Sequence, residues 1–225
     1  MNNKLKIFLG VFLSLITLML SGGFEILLHS AFDSIPVGIG SQLGILLVSV
    51  LLIMFFSRKK IIQFNIDKVK LKQLIYPIAF VLLLLTIGQI ISHLLNTADH
   101  PLAHTMSLKQ KFIFIVFLAS LSEELLFRGF LLNMLAPLKK YGIGFFKTRL
   151  SLSVILSGVL FGLIHFAMLQ TDASINLVIQ VVISAVFLGI IAGYYQEKYA
   201  NFSYALIVHI SGNVFGLILS LLFIS

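Results

Sequence analysis

Ser122-Glu123-Glu124-Leu125-Leu126-Phe127-Arg128 places two acids and a base in the middle of an apolar run covering residues 112–138. An ionised side chain at the centre of a bilayer costs roughly 2.5–3.5 kcal/mol on insertion scales, so it is seldom kept there without a task. Three in one run demand a joint explanation. On a helix, Glu124 and Arg128 are i and i+4 with the acid N-terminal, about 40° apart around the axis, whereas Glu123 points about 140° from Arg128. The two acids therefore separate into roles: Glu124 forms a structural pair with Arg128, and Glu123 faces something else. An unpartnered carboxylate in a low-dielectric site is a better proton acceptor than one in water.

Outward from this stretch the chain is apolar throughout. Hydrophobic residues make up 59% of its 225 residues and charged ones 11%, against about 45–50% and 25% in soluble domains. With a mean hydropathy of +1.09, the expected fold is an all-α, polytopic transmembrane helix bundle of about seven spans. These fall at 7–24, 34–57, 73–95, 111–136, 150–167, 173–195 and 201–223, each near the ~20 residues that cross the hydrocarbon layer. Such a chain leaves no room for a separate soluble domain, so residues 1–225 form one integral membrane domain, with the polar motifs in about 110–225. The first run is longer than a signal-peptide core and lacks a convincing cleavage site, so it is read as an uncleaved span.

The net charge of +8 does not point to nucleic acid. With the N-terminus inside, 13 of the 16 Lys and Arg fall on inner segments, among them Arg58, Lys59, Lys60, Lys139 and Lys140. That is the positive-inside pattern of a multi-pass protein of the cell membrane, and it puts the C-terminus outside. The absence of cysteine excludes disulfides, thiolate metal sites and a cysteine nucleophile. Small residues four apart (Gly40/Gly44, Gly158/Gly162, Gly189/Gly193, Gly212/Gly216) permit close helix contact in lipid and suggest a tight C-terminal bundle.

Two other spans carry polar groups at comparable depth. His165 lies on the fifth, one turn after Phe161; His209 and Asn213 are i and i+4 on the seventh. At 1.5 Å per residue, Glu123 lies about 20 Å and His165 about 21 Å from the inner ends of their spans, with Asn213 at about 18 Å and His209 at about 12 Å. Helix tilt absorbs that spread. Taken singly, a membrane His or Asn is as often interhelical glue as chemistry, and Phe161 reads as packing. His100 and His104 flank Pro101 in a polar loop and read as solvated.

Glu123-Glu124-x-x-x-Arg128, Phe161-x-x-x-His165 and His209-x-x-x-Asn213 together resemble, in order and spacing, the three motifs of the CAAX-processing and bacteriocin-processing (CPBP, or Abi) family of intramembrane proteases. The resemblance covers about 110 to the end and no part of the first three spans. It implies hydrolysis of a peptide bond in a membrane-associated peptide or protein. Glu123 and His165 would activate water, His209 and Asn213 would stabilise the oxyanion, and Glu124 with Arg128 would hold the site together. The family is also described as metal-dependent. Two His and one Glu are a donor set for Zn²⁺ or another divalent ion, but no His-Glu-x-x-His helix is present, and a metal-free glutamate mechanism is the favoured expectation. Membrane lipid and the substrate are the expected partners, without nucleic acid. A non-catalytic bacteriocin-immunity or scaffold protein, and a proton-coupled transporter, are the alternatives.

Overall fold

A computed structural model of the chain describes residues 1–32, 35–94, 106–145, 148–171 and 173–223; His100 and His104 lie outside them. Helix α1 spans Asn3–Ala31, α2 Ile39–Arg58 and α3 Ile75–Leu94. Helix α4 covers 108–134 and opens with a capping box between Ser107 and Gln110. A two-stranded antiparallel hairpin follows, β1 (Gly142–Phe145) and β2 (Thr148–Ser151). Helix α5 (Leu152–Leu163) continues as a 3-10 stretch, Ile164–Thr171, before α6 (Ile175–Tyr199) and α7 (Phe202–Phe223).

Among the described residues, six helices are long and apolar enough to cross a membrane; α4, which carries the charged cluster, is a seventh long helix that is not among those six. The fold is thus the expected all-α polytopic bundle. It departs from the sequence reading at three places. The basic connection after α4 folds into the hairpin, with Ile143 paired to Leu150 and Gly144 to Arg149. Helix α4 is not uniformly α: Lys111–Ala119 and Leu125–Leu131 wind as wider π turns around Ser120–Glu124. Helix α1 runs past 24 and takes in Glu25 and His29.

Helix α4 stands at the centre. All seven residues of Leu125–Leu131 are buried, packed by Ile45, Ile53 and Phe56 from α2, Phe161 from α5 and Ala185 from α6. Helix α1 shows why lipid reverses the soluble pattern. Its buried residues are Gly10, Ser14, Thr17 and Ser21, while Phe8, Phe12, Leu15 and Met19 face outward. Lipid accepts the large apolar side chains, so the small face is left for close packing. The hydroxyls are satisfied locally: Ser14 Oγ donates to Gly10 O at 2.8 Å and Thr17 Oγ1 to Leu13 O at 2.7 Å.

The charge of Glu25 is accommodated in the same way. Its two carboxylate oxygens accept from the backbone N–H groups of Gly38 (2.7 Å) and Ser41 (2.8 Å), and so cap α2 from the neighbouring helix. Free amides and the positive end of the helix dipole favour an anion at that position. Gly40 makes the approach possible, since a Cβ there would lie 2.7 Å from Glu25 Cα.

The glycine pairs behave unequally. Gly158 meets the α6 backbone, where a Cβ would fall 2.8 Å from Ile190 N; at Gly162 a Cβ would lie 2.8 Å from Val182 O. Helices α5 and α6 therefore cross in close contact, as expected. Gly212 meets only side chains, with Val81 Cγ1 nearest at 3.2 Å, and Gly216 has nothing within 4 Å. That pair does not bring two backbones together, and Gly216 borders open space beside the polar cluster. The start of α7 is instead tied to the 59–70 connection through Asn201, whose Nδ2 donates to Asp67 O at 3.0 Å while its Oδ1 accepts from Asp67 N at 3.2 Å.

Candidate active site

Glu124 and Arg128 form the expected pair. Arg128 Nη1 lies 3.0 Å from Glu124 Oε1, with both side chains fully buried. The contact is an ion pair and not a well-aligned hydrogen bond: no guanidinium nitrogen has a hydrogen-bond partner among the described residues. The guanidinium lies over the Phe161 ring, 4.5 Å from its centroid, where the ring's electron-rich face attracts a cation. Gly189 provides the room, because a Cβ there would sit 2.8 Å from Arg128 Nη2. Phe161 is buried, as a packing residue should be, and its ring also lies edge-on to His165 and His209 at 5.2 and 5.5 Å. It works as a spacer between the two imidazoles.

Glu124 does more than neutralise Arg128. Its Oε1 also takes His209 Nδ1 at 2.8 Å. A carboxylate only accepts, so Nδ1 carries hydrogen and the ring is held with Nε2 turned away from Glu124. That Nε2 lies 3.8 Å from Glu123 Oε2. Glu123 makes no pair in its own helix, as the helical geometry requires. Its other oxygen, Oε1, accepts from Gln42 Nε2 of α2 at 3.0 Å, and Ser122 Oγ donates to Gln42 Oε1.

His165 Nδ1 contacts Phe161 O at 3.0 Å. A carbonyl likewise only accepts, so Nδ1 is the protonated nitrogen of the neutral ring and Nε2 keeps its lone pair. Asn213 binds back to α4, its Nδ2 donating to Ser120 Oγ at 2.9 Å and Ile115 O at 3.2 Å. A cavity of about 300 Å³ is bordered by Glu123, His165, His209 and Asn213 together with Phe161. Gln89, Gln180 and Ser184 add polar groups to its wall among apolar side chains. Beyond Ala119 and Asn213 a second, largely apolar cavity of about 550 Å³ shares part of this wall and reaches Gly38 and Gln42.

The structure thus brings all six sequence-derived candidates into one cluster. Glu123, His165, His209 and Asn213 border the cavity, and Glu124 and Arg128 lie behind them. Sequence reading missed Gln42, Ser120 and Ser122. A lone glutamine, the ninth residue of the expected span 34–57, was the available signal.

A Zn²⁺ site needs three protein donors around one point. Among the described residues no three His, Asp or Glu groups converge in that way. Each imidazole commits only Nδ1, to Glu124 and to Phe161 O, and keeps Nε2, so the fit turns on convergence alone. The donor set does not fit a resident metal, and no step below passes through one.

Carboxylates and imidazoles gathered around one cavity of a helix bundle define a membrane-embedded protein with a polar centre. The family model described as "Type II CAAX prenyl endopeptidase Rce1-like" matches residues 106–215, which hold α4 to most of α7 and every motif residue. Over this segment, just under half of the chain, the match supports the CAAX-type (CPBP) family of intramembrane proteases. No curated protein and no solved structure matches it significantly.

Proposed function

We propose that the protein is an intramembrane endopeptidase that hydrolyses a peptide bond of a membrane-associated peptide or protein. The observation that carries this reading is Glu123: one oxygen held by Gln42, the other beside His209, on a cavity it shares with His165. A water in that cavity gives its proton to Glu123, with the His165 Nε2 lone pair accepting the second O–H and aiming the attacking oxygen. Attack on the scissile carbonyl forms a tetrahedral oxyanion. His209, donating to Glu124 through Nδ1, presents Nε2–H to that oxyanion when the ring is protonated. Asn213 joins it once its amide releases Ile115 O, the longer of its two bonds. Glu123 then returns the proton to the leaving amine, and a carboxylic acid and an amine are the products. One preorganised oxyanion donor contributes about 10²–10³ in rate.

The test is cleavage of a lipid-embedded reporter peptide by purified protein in liposomes. His165→Ala is expected to lower turnover about 10²-fold or more without changing the thermal midpoint, because His165 is only half-buried. Wild-type turnover in this variant would remove His165 from the mechanism.

The charge pattern supports a cytoplasmic N-terminus and an external C-terminus in the cell membrane. The absence of cysteine makes this simple to check. Single cysteines introduced at Lys60 and at Lys109 are expected to label from opposite sides with an impermeant maleimide, Lys109 from outside intact cells. Labelling of both positions from one side would refute the assignment.

A further inference from the structure

We propose that Gln42, on a helix outside the family match, is the positioning residue of Glu123, so that the site is completed by the N-terminal half of the chain. The proposal rests on the reading of Glu123 as the base. A base must present one oxygen to the water at a fixed angle, and a carboxylate on a flexible glutamate stem does not hold that angle by itself. Gln42 Nε2 donates to Glu123 Oε1 at 3.0 Å and leaves Oε2 for the cavity and His209.

The amide is itself held in orientation. An ionised carboxylate only accepts, so the NH₂ end of Gln42 must face Glu123 and the carbonyl end must face away. That carbonyl accepts the hydroxyl of Ser122, a fully buried side chain next to Glu123 on α4. Gln42 therefore touches two consecutive residues of α4 with complementary groups, and the carboxylate, which only accepts, fixes the sense of the amide.

Its own location is set from behind. Gln42 N donates to Gly38 O at 3.1 Å in the first turn of α2. That turn is fastened by Glu25 of α1 through Gly38 N and Ser41 N. An unbroken series of hydrogen bonds thus runs from Glu25 through the start of α2 to Gln42 and on to Glu123. An ordinary interhelical tether would also join α2 to α4, but it would have no reason to end on an acid that borders the cavity.

The two readings separate in kinetics. A tether supports the fold; a positioning residue acts on the chemical step. A misplacement of about 1 Å in a reacting group costs up to about 10²-fold in rate. Full-length Gln42→Leu in liposomes is expected to lose about 10–100-fold in kcat on the lipid-embedded reporter, with KM and thermal midpoint unchanged. Gln42→Asn, one methylene short of Glu123, is expected to fail in the same way. Should Gln42→Leu not fold, Ser122→Ala frees the amide without removing it, and a smaller loss confined to kcat is expected. Wild-type kcat in the folded Gln42 variants, or a loss in KM alone, overturns the proposal. So does a wild-type kcat in Ser122→Ala where that variant is the one measured. An inactive Glu123→Gln beside a fully active Gln42→Leu would reject the positioning role and leave the base intact, whereas an active Glu123→Gln would reject the base itself.

Discussion

Glu123→Gln is expected to fold as the wild type does and to cleave a lipid-embedded reporter about 10²–10⁴-fold more slowly, the range that a positioned general base contributes. The substitution is nearly isosteric. The new amide oxygen can still accept the Gln42 N–H, so the α2–α4 contact survives; what is lost is the capacity to take a proton. The side chain is 12% exposed on the cavity and supports no other bond that would disturb packing. Initial rates and thermal midpoints measured on one preparation decide the matter. Full activity in the folded variant would end the protease mechanism proposed above.

The second large effect concerns the fold. Arg128 and Glu124 are both fully buried, and removing one member of such a pair leaves an uncompensated charge, typically at a cost of about 3–5 kcal/mol. Arg128→Met keeps most of the volume and the contact with Phe161, so the loss reports charge and not a cavity. Glu124 would retain only His209. Adding Glu124→Gln removes the stranded charge as well, and the double variant is expected to recover much of the single variant's loss. Reversible unfolding in mixed detergent micelles gives the free energies. A single-variant cost under about 1 kcal/mol would show that the pair does not hold α4 in place.

The contrast between these groups shows what the chain makes legible. Glu124 with Arg128, and the isolation of Glu123, follow from helix geometry within one segment. The wider turns of Leu125–Leu131 did not break that pairing. That His165 and His209 can meet follows from counting residues through the spans, once helix tilt absorbs a difference of about 9 Å. What escaped depends on how helices rotate against one another. Gln42 lies in α2, where every neighbour is acceptable to lipid and hydropathy gives no face. Only the packing of Gly40 and Gly44 on α1, with Glu25 at the helix end, turns it toward α4. The second partner of Glu124 was hidden for the same reason: His209 approaches from another helix. The hairpin at Gly142–Ser151 was obscured by its basic and glycine-rich sequence, which reads as a simple loop. The resemblance located the six motif residues but offered nothing about the helices it does not cover.

The greasy chamber next to Glu123 has a consequence for the least conspicuous reactant. The hydrolysis proposed above consumes water, whereas the second cavity, the larger of the two, is walled mainly by hydrocarbon side chains. On that proposal each turnover draws one molecule of water from the aqueous phase to the smaller cavity that Glu123 borders. Reaction velocity should accordingly fall with osmotic stress from excluded solutes, at concentrations that leave peptide binding untouched.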